Sequence, residues 1–196
     1  MKKIIALALA AVMALSMVAC GGSKTDVEAG ADAPANDTAI VREVANTETK
    51  DLANGGTATT EYDANGVKIT EVRKDAEGRP VADFEYDKTG LITKMGVYSN
   101  EGKLAEYVTY KYNEDGKKVE AVTYGPDDAV IATSIFEYYA ESGKIMKEVT
   151  RNADGTPIIE TEYYDADFAV KTLRTYGENG ELIEETNFTE AGEIVE

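Results

Sequence analysis

The sequence predicts an all-β fold, a repetitive antiparallel β-meander of roughly 11 strands, and three observations carry that prediction. Glycines recur at 66, 78, 90, 102, 116, 143, 155, 180 and 192, and turn-like residues (Gly125-Pro126-Asp127-Asp128 and Asp165-Ala166-Asp167) fill the two long gaps. The segments between them are short and rich in Val, Ile, Thr and Tyr, as in Val119-Glu120-Ala121-Val122-Thr123-Tyr124. Glycine and Asp/Asn punctuation at this spacing marks consecutive hairpins, and segments so short and β-branched are poor helices. Finally, Tyr62, Tyr86, Tyr112, Tyr139, Tyr164 and Phe188 lie 24, 26, 27, 25 and 24 residues apart, so the repeating unit is one hairpin. Such a fixed period is the signature of a repeat architecture.

Taken in order, the chain opens with Met1-Lys2-Lys3 and an uncharged run from Ile4 to Ala19. That run suits a signal-peptide core better than a bilayer span, which needs about 20 apolar residues. It ends in Met17-Val18-Ala19-Cys20-Gly21-Gly22-Ser23. This resembles the lipobox of bacterial lipoproteins, with Met17 where leucine is more usual. The resemblance implies cleavage after residue 19 and a diacylglyceryl modification on Cys20. The mature chain is then anchored in the cell envelope at the extracytoplasmic face of the membrane, since two acyl chains hold durably where one is marginal.

Residues 20–56 are dominated by Gly, Ala, Asp, Asn, Thr and Ser and contain no aromatic residue. Such a composition buries too little apolar surface to offset its ordering entropy, so a flexible linker is expected there. Ile40-Val41-Arg42-Glu43-Val44 is the one stretch of it suited to docking on the domain. The repeat domain is expected over 57–196. In it the aromatic sits four residues ahead of the glycine: Tyr62 and Gly66, Tyr86 and Gly90, Tyr112 and Gly116, Tyr139 and Gly143, Phe188 and Gly192. Glycine supplies the positive φ of the turn, the Asp or Asn accepts N–H groups inside it, and the aromatic closes the strand and stacks on its neighbours. A second turn series follows Lys74, Tyr98, Arg151 and Tyr176 at the other edge. Rows such as Leu104, Glu106, Val108, Tyr110 and Ile145, Lys147, Val149 place a charge between apolar margins. No segment is apolar enough for a doubly covered strand, so the sheet is expected to be curled and largely single-layered. From Gly177 to Glu196 there are seven Glu and no Lys or Arg, a polar cap that discourages edge-to-edge pairing.

Composition excludes several functions. The chain carries 37 acidic and 20 basic residues, for a net charge of −17, and losing Lys2 and Lys3 with the leader brings it to −19. Affinity for nucleic acid rests on Lys and Arg neutralising phosphates, so no nucleic-acid partner is expected. There is no histidine, and Cys20 is the only cysteine, which removes His-based nucleophile systems, zinc sites built on His or Cys, and disulfides within the chain.

Tyr62-Asp63-Ala64-Asn65-Gly66 and Tyr86-Asp87-Lys88-Thr89-Gly90-Leu91 resemble the YD repeat of bacterial RHS-type proteins. Tyr176-Gly177-Glu178-Asn179-Gly180-Glu181-Leu182 is similar to the short hairpin repeats of MORN-variant and antitoxin-like proteins. The pattern departs at Phe168, where glycine is expected, and at the longer Gly125–Ala129. These resemblances imply a β-meander with a binding or structural role and no catalytic residues. Turns such as Asp63-Ala64-Asn65-Gly66, Asn113-Glu114-Asp115-Gly116 and Asn152-Ala153-Asp154-Gly155 lack the further ligands of a calcium loop, and no metal or cofactor is expected. The resulting expectation is a membrane-anchored, non-enzymatic lipoprotein whose sheet binds a protein or glycan ligand or acts as a scaffold. An immunity protein against a secreted toxin and a carboxylate-based glycan hydrolase are the alternatives.

Overall fold

The computed structural model describes residues 42–166 and 169–195. The leader 1–19, Cys20, the linker as far as Val41, and Phe168 lie outside the described residues. The described chain is all β: β1 (Asn46–Asp51), β2 (Thr57–Tyr62), β3 (Lys68–Lys74), β4 (Pro80–Tyr86), β5 (Ile92–Tyr98), β6 (Leu104–Tyr112), β7 (Lys118–Tyr124), β8 (Val130–Tyr138), β9 (Ile145–Asn152), β10 (Pro157–Tyr163), β11 (Val170–Tyr176) and β12 (Leu182–Asn187). They form one antiparallel sheet in sequence order, each strand packing only against the one before and the one after. The sheet is open, because β1 and β12 do not pair.

The expected linker 20–56 needs correcting. From Asn46 onward it is sheet, and β1 brings the described strands to twelve instead of roughly 11. β1 has no apolar face, and all six of its side chains are exposed. It is held instead by its backbone ladder to β2, from Asn46 opposite Tyr62 to Asp51 opposite Thr57. The linking turn is the repeat turn: Leu52 N donates to Gly56 O, Gly55 N donates to Leu52 O, and Gly55 has φ +82°. Ahead of β1, Arg42 reaches back over the edge, donating to the Tyr86 carbonyl and lying 3.5 Å from Asp63 Oδ2.

Most turns share one geometry. In the first, Gly66 N donates to Asp63 O (3.0 Å) and Asp63 N to Val67 O (2.9 Å), a tight turn closed by one left-handed residue. The Asp63 carboxylate Oδ1 accepts from Asn65 N and Val67 N, both at 2.9 Å. Asp75, Asp87, Asn113 and Asn152 repeat that clasp, and Ser99 does so with its hydroxyl. In Gly125–Ala129 the left-handed place falls to Asp128, at φ +64°, a conformation Asp tolerates better than most non-glycine residues.

In-register pairing defines two faces. Thr60, Glu71, Phe84, Met95 and Val108 follow one another across β2 to β6, and Ala121 and Phe136 lie on the same side. This phenylalanine face carries the cluster of Val108, Ala121 and Phe136 with Met95, Tyr110, Tyr138 and Ile145 packed against it. Val149 and Thr172, buried further along, belong to the opposite face. The row Ile145, Lys147, Val149 is therefore corrected. A bulge where β8 meets β9 pairs Tyr138 with Ile145 and Glu137 with Lys147, breaking the two-residue alternation and returning Ile145 to the phenylalanine face. No side chain among the described residues is fully buried, as a single layer requires.

Candidate functional site

The fifth residue after the repeat glycine places a side chain at the centre of the phenylalanine face. In successive units this residue is Glu71, Met95, Ala121 and Glu148, after Gly66, Gly90, Gly116 and Gly143. Two carboxylates thus occupy an apolar row, each directly opposite a phenylalanine: Glu71 against Phe84 and Glu148 against Phe136.

Glu71 is 4% exposed and fully partnered. Lys68 Nζ and Arg73 each lie 2.7 Å from its oxygens, and the Tyr86 hydroxyl is 3.4 Å away. Lys68 also sits 5.3 Å from the Tyr86 ring centroid, and the Arg73 guanidinium 4.8 Å from that of Phe84. Burial works to raise the Glu71 carboxyl, but the hydrogen bonds and charges of Lys68 and Arg73 outweigh it and hold it below 4.5.

Glu148 has no such partners. The matching positions in its unit are Ile145 and Thr150, and Thr150 is hydrogen-bonded to Ser134 at 2.8 Å. Its nearby cation is Lys118, two strands away on β7, whose ammonium lies 4.4 Å from the Phe136 centroid and 5.4 Å from that of Tyr110. Among the described residues neither Glu148 nor Lys118 has an ion-pair partner within 4.0 Å. Burial therefore dominates. It pushes the Glu148 carboxyl above 4.5 and the Lys118 ammonium below 10.5, with each charge only partly offsetting the other's shift. Burial also raises Tyr138 and Tyr163 close by, with the Glu148 charge adding to it. The result is a pair of opposite charges, half-desolvated and held apart, in a frame of Tyr110, Phe136, Tyr138 and Tyr163. Such a pair can meet a ligand's own polar groups without first breaking an ion pair.

The residues singled out in the sequence fall elsewhere, at the edge of the sheet. Gly66, Gly90, Gly116, Gly143 and Gly192 take φ between 70° and 87° in the turns. Tyr62, Tyr86, Tyr112 and Phe188 stand just before the residue that opens the turn. Tyr139 does not. Its turn is one residue longer, closing from Tyr139 N to Lys144 O, so Tyr138 ends the strand and Tyr139 takes the place Asn113 holds in its own unit. Tyr163 and Tyr164 stand in the same relation. The ladder also bonds differently from the expected ring stacking. Tyr112 and Tyr138 donate their hydroxyls to the carbonyls of Ile92 (2.7 Å) and Lys118 (2.5 Å). Tyr139 and Tyr164 reach forward to the carbonyls of Tyr163 (2.7 Å) and Phe188 (2.8 Å). The stacked pair among the described residues is Tyr107 and Tyr124 on the opposite face, 4.8 Å apart, with the Tyr107 hydroxyl donating to Asp128. That hydrogen bond, helped by desolvation, pushes Tyr107 up to about 12. The sequence signal for Glu148 was the register of the glycine, with a carboxylate at its fifth follower and no basic residue two or seven places on.

No protein-family model matches the chain, and no curated protein sequence matches it. Among solved structures it is similar to the crystal structure of TcdB2-TccC3-TEV at 20% identity and a TM-score of 0.46, over 71% of this chain and 7% of that one. The GtfA/B complex bound to UDP and GlcNAc is similar at 14% identity and a TM-score of 0.31, over 70% of this chain and 25% of that one. The Photorhabdus luminescens Tc holotoxin pore is similar at 17% identity and a TM-score of 0.24, over 74% and 10%. The chain thus spans a quarter or less of the length of each.

Proposed function

We propose that this chain is a lipid-anchored extracytoplasmic protein whose hairpin sheet is a non-enzymatic binding surface for a protein or glycan. The observation that supports the reading is the Lys118–Glu148 pair. A sheet serving only as structure gains by pairing such charges, as Glu71 does with Lys68 and Arg73. Here two half-buried charges flank Phe136 unpaired, on a sheet with no second layer among the described residues. The anchor rests on Cys20 and the lipobox resemblance.

The test is capture of envelope glycans and secreted proteins by the full chain, compared with the Glu148→Gln and Lys118→Met variants. The expected result is a retained ligand that both variants lose while keeping their β-type circular dichroism. Equal capture by all three chains would place the binding surface elsewhere. A captured toxin whose activity is blocked would favour the immunity reading. Hydrolysis of a glycan panel that disappears in Glu148→Gln would replace binding with catalysis. The anchor is tested separately by mass spectrometry of the mature N-terminus, and an unmodified Cys20 would sink it.

A further inference from the structure

The last strand is left half covered, and its chemistry selects what can complete it. β12 pairs with β11 alone, and its side chains are mostly exposed, Ile183 at 66%. After β12 the chain turns once more, with Thr189 N donating to Glu193 O, and comes back along the outer edge. Ile194 bridges Phe188, and Val195 N donates to Asn187 O at 2.8 Å. That contact shows which backbone groups face outward. Asn187 directs its carbonyl away from β11, and by strand alternation Glu185 directs its N–H and C=O the same way, while Phe188 N points inward to Lys171 O. From Leu182 to Thr186 no strand among the described residues lies against this edge.

We infer that this edge accepts an extended segment of a partner protein as an added antiparallel strand, and that the segment carries two consecutive basic residues followed by two apolar ones. The bridge through Ile194 and Val195 sets the antiparallel direction. Running that way, the incoming residues meet Glu185, Glu184, Ile183 and Leu182 in turn. Glu184 and Glu185 project to opposite faces, so a basic residue opposite each is needed, and Ile183 and Leu182 then meet apolar side chains. Nearby Arg174 is already engaged by Glu160, Glu162 and Glu185, so it does not neutralise Glu184. The same charges disfavour a second copy. Pairing two β12 edges sets Glu against Glu, and β1, with Glu48, Lys50, Asp51 and no apolar residue, lacks the required order. Strand addition draws affinity from the backbone ladder and selectivity from alternate side chains. This inference does not depend on the Lys118–Glu148 surface.

The experiment titrates the full chain into a fluorescein-labelled peptide, Thr-Thr-Lys-Lys-Val-Val, and reads anisotropy at low and high salt. Binding is expected at low salt and to weaken as salt rises. A peptide with N-methyl groups on alternate residues keeps the charges but loses strand donors, and should bind about tenfold or more weakly. The Glu184→Lys chain, altered at an exposed side chain, should also bind more weakly. Equal binding of the N-methylated peptide, or of a peptide with Glu in place of both Lys, would overturn the proposal. So would sedimentation showing that β12 is taken up by a second copy, with dimers that Glu184→Lys abolishes.

Discussion

Glu71 and Glu148 occupy the same place in their repeats, face a phenylalanine from the same side of the same sheet, and titrate in opposite directions. What separates them is local. Glu71 has Lys68 and Arg73 on its own strand, where Glu148 has Ile145 and Thr150. The repeat fixes where a side chain stands, and the residues two and seven places after the glycine decide what its charge costs. A buried carboxylate with two cations at 2.7 Å supports the fold, whereas one whose cation lies two strands away opposes it. The opposite face supplies a third case. Glu160 meets Lys147 at 3.0 Å and Arg174 at 2.6 Å, and despite burial it is held below 4.5 like Glu71.

The largest effect should come from the ring that keeps Lys118 and Glu148 apart. Phe136 is buried in the Val108–Ala121 cluster, and Phe136→Ala should cost about 3 kcal/mol, the lower end for such truncations because one face of the layer stays wet. Urea unfolding measures it. An equal loss for Phe136→Leu would show that ring geometry matters more than volume.

Glu71→Ala comes next, at about 2 kcal/mol at pH 7, since it leaves Lys68 and Arg73 facing a half-buried site with no acceptor. Its pH signature is specific. The folded Glu71 titrates below 4.5, so its contribution is present above 4.5 and is lost as pH falls through the lower folded value. Wild type and Glu71→Ala should therefore converge in urea midpoint on acidification, and a constant gap down to pH 3 would refute the ion-pair account.

Glu148→Gln should act with the opposite sign and a smaller size. The folded Glu148 titrates above 4.5, so ionising it opposes folding at pH 7, and that opposition is relieved as pH falls through the folded value toward 4.5. Removing the charge should leave stability at pH 7 unchanged or raised by under about 1 kcal/mol, the loss of Lys118's distant attraction being minor. The variant should also lack the acid-side gain. Destabilisation at pH 7 comparable to Glu71→Ala would mean that Glu148 has a partner on the sheet after all.

These contrasts also show how much the sequence could reveal. Glycine spacing and β-branched segments made the meander legible, because each unit repeats the same turn chemistry locally. β1 escaped because Asn46–Asp51 has no apolar side chain, and its evidence was a lone Asn54-Gly55 set 11 residues before Gly66. Tyr139 was read as the strand end because counting back from Gly143 assumes a fixed turn length, and that turn holds one residue more. The face of Ile145 was misread because a bulge, invisible in composition, breaks the alternation. The partners of Glu148 were beyond reach for a different reason: Lys118 comes near it only through the register of β7, β8 and β9.

The finest test transplants one environment into the other. Ile145 opposes Tyr138 as Lys68 opposes Tyr62, and it precedes Glu148 by the same three residues that separate Lys68 from Glu71. Ile145→Lys should therefore bring an ammonium to Glu148 while its aliphatic stem keeps part of the contact with the Val108 cluster. The Ser134–Thr150 hydrogen bond is left in place. Global stability should change little, as lost apolar packing offsets the new ion pair. The readout is the Glu148 side-chain carboxyl followed by NMR through an acid titration, and its midpoint should cross from above 4.5 in the wild type to below it in the variant. A midpoint that stays above 4.5 would show that one cation on the same strand is not enough, and that the Arg73 position carries the larger share at Glu71.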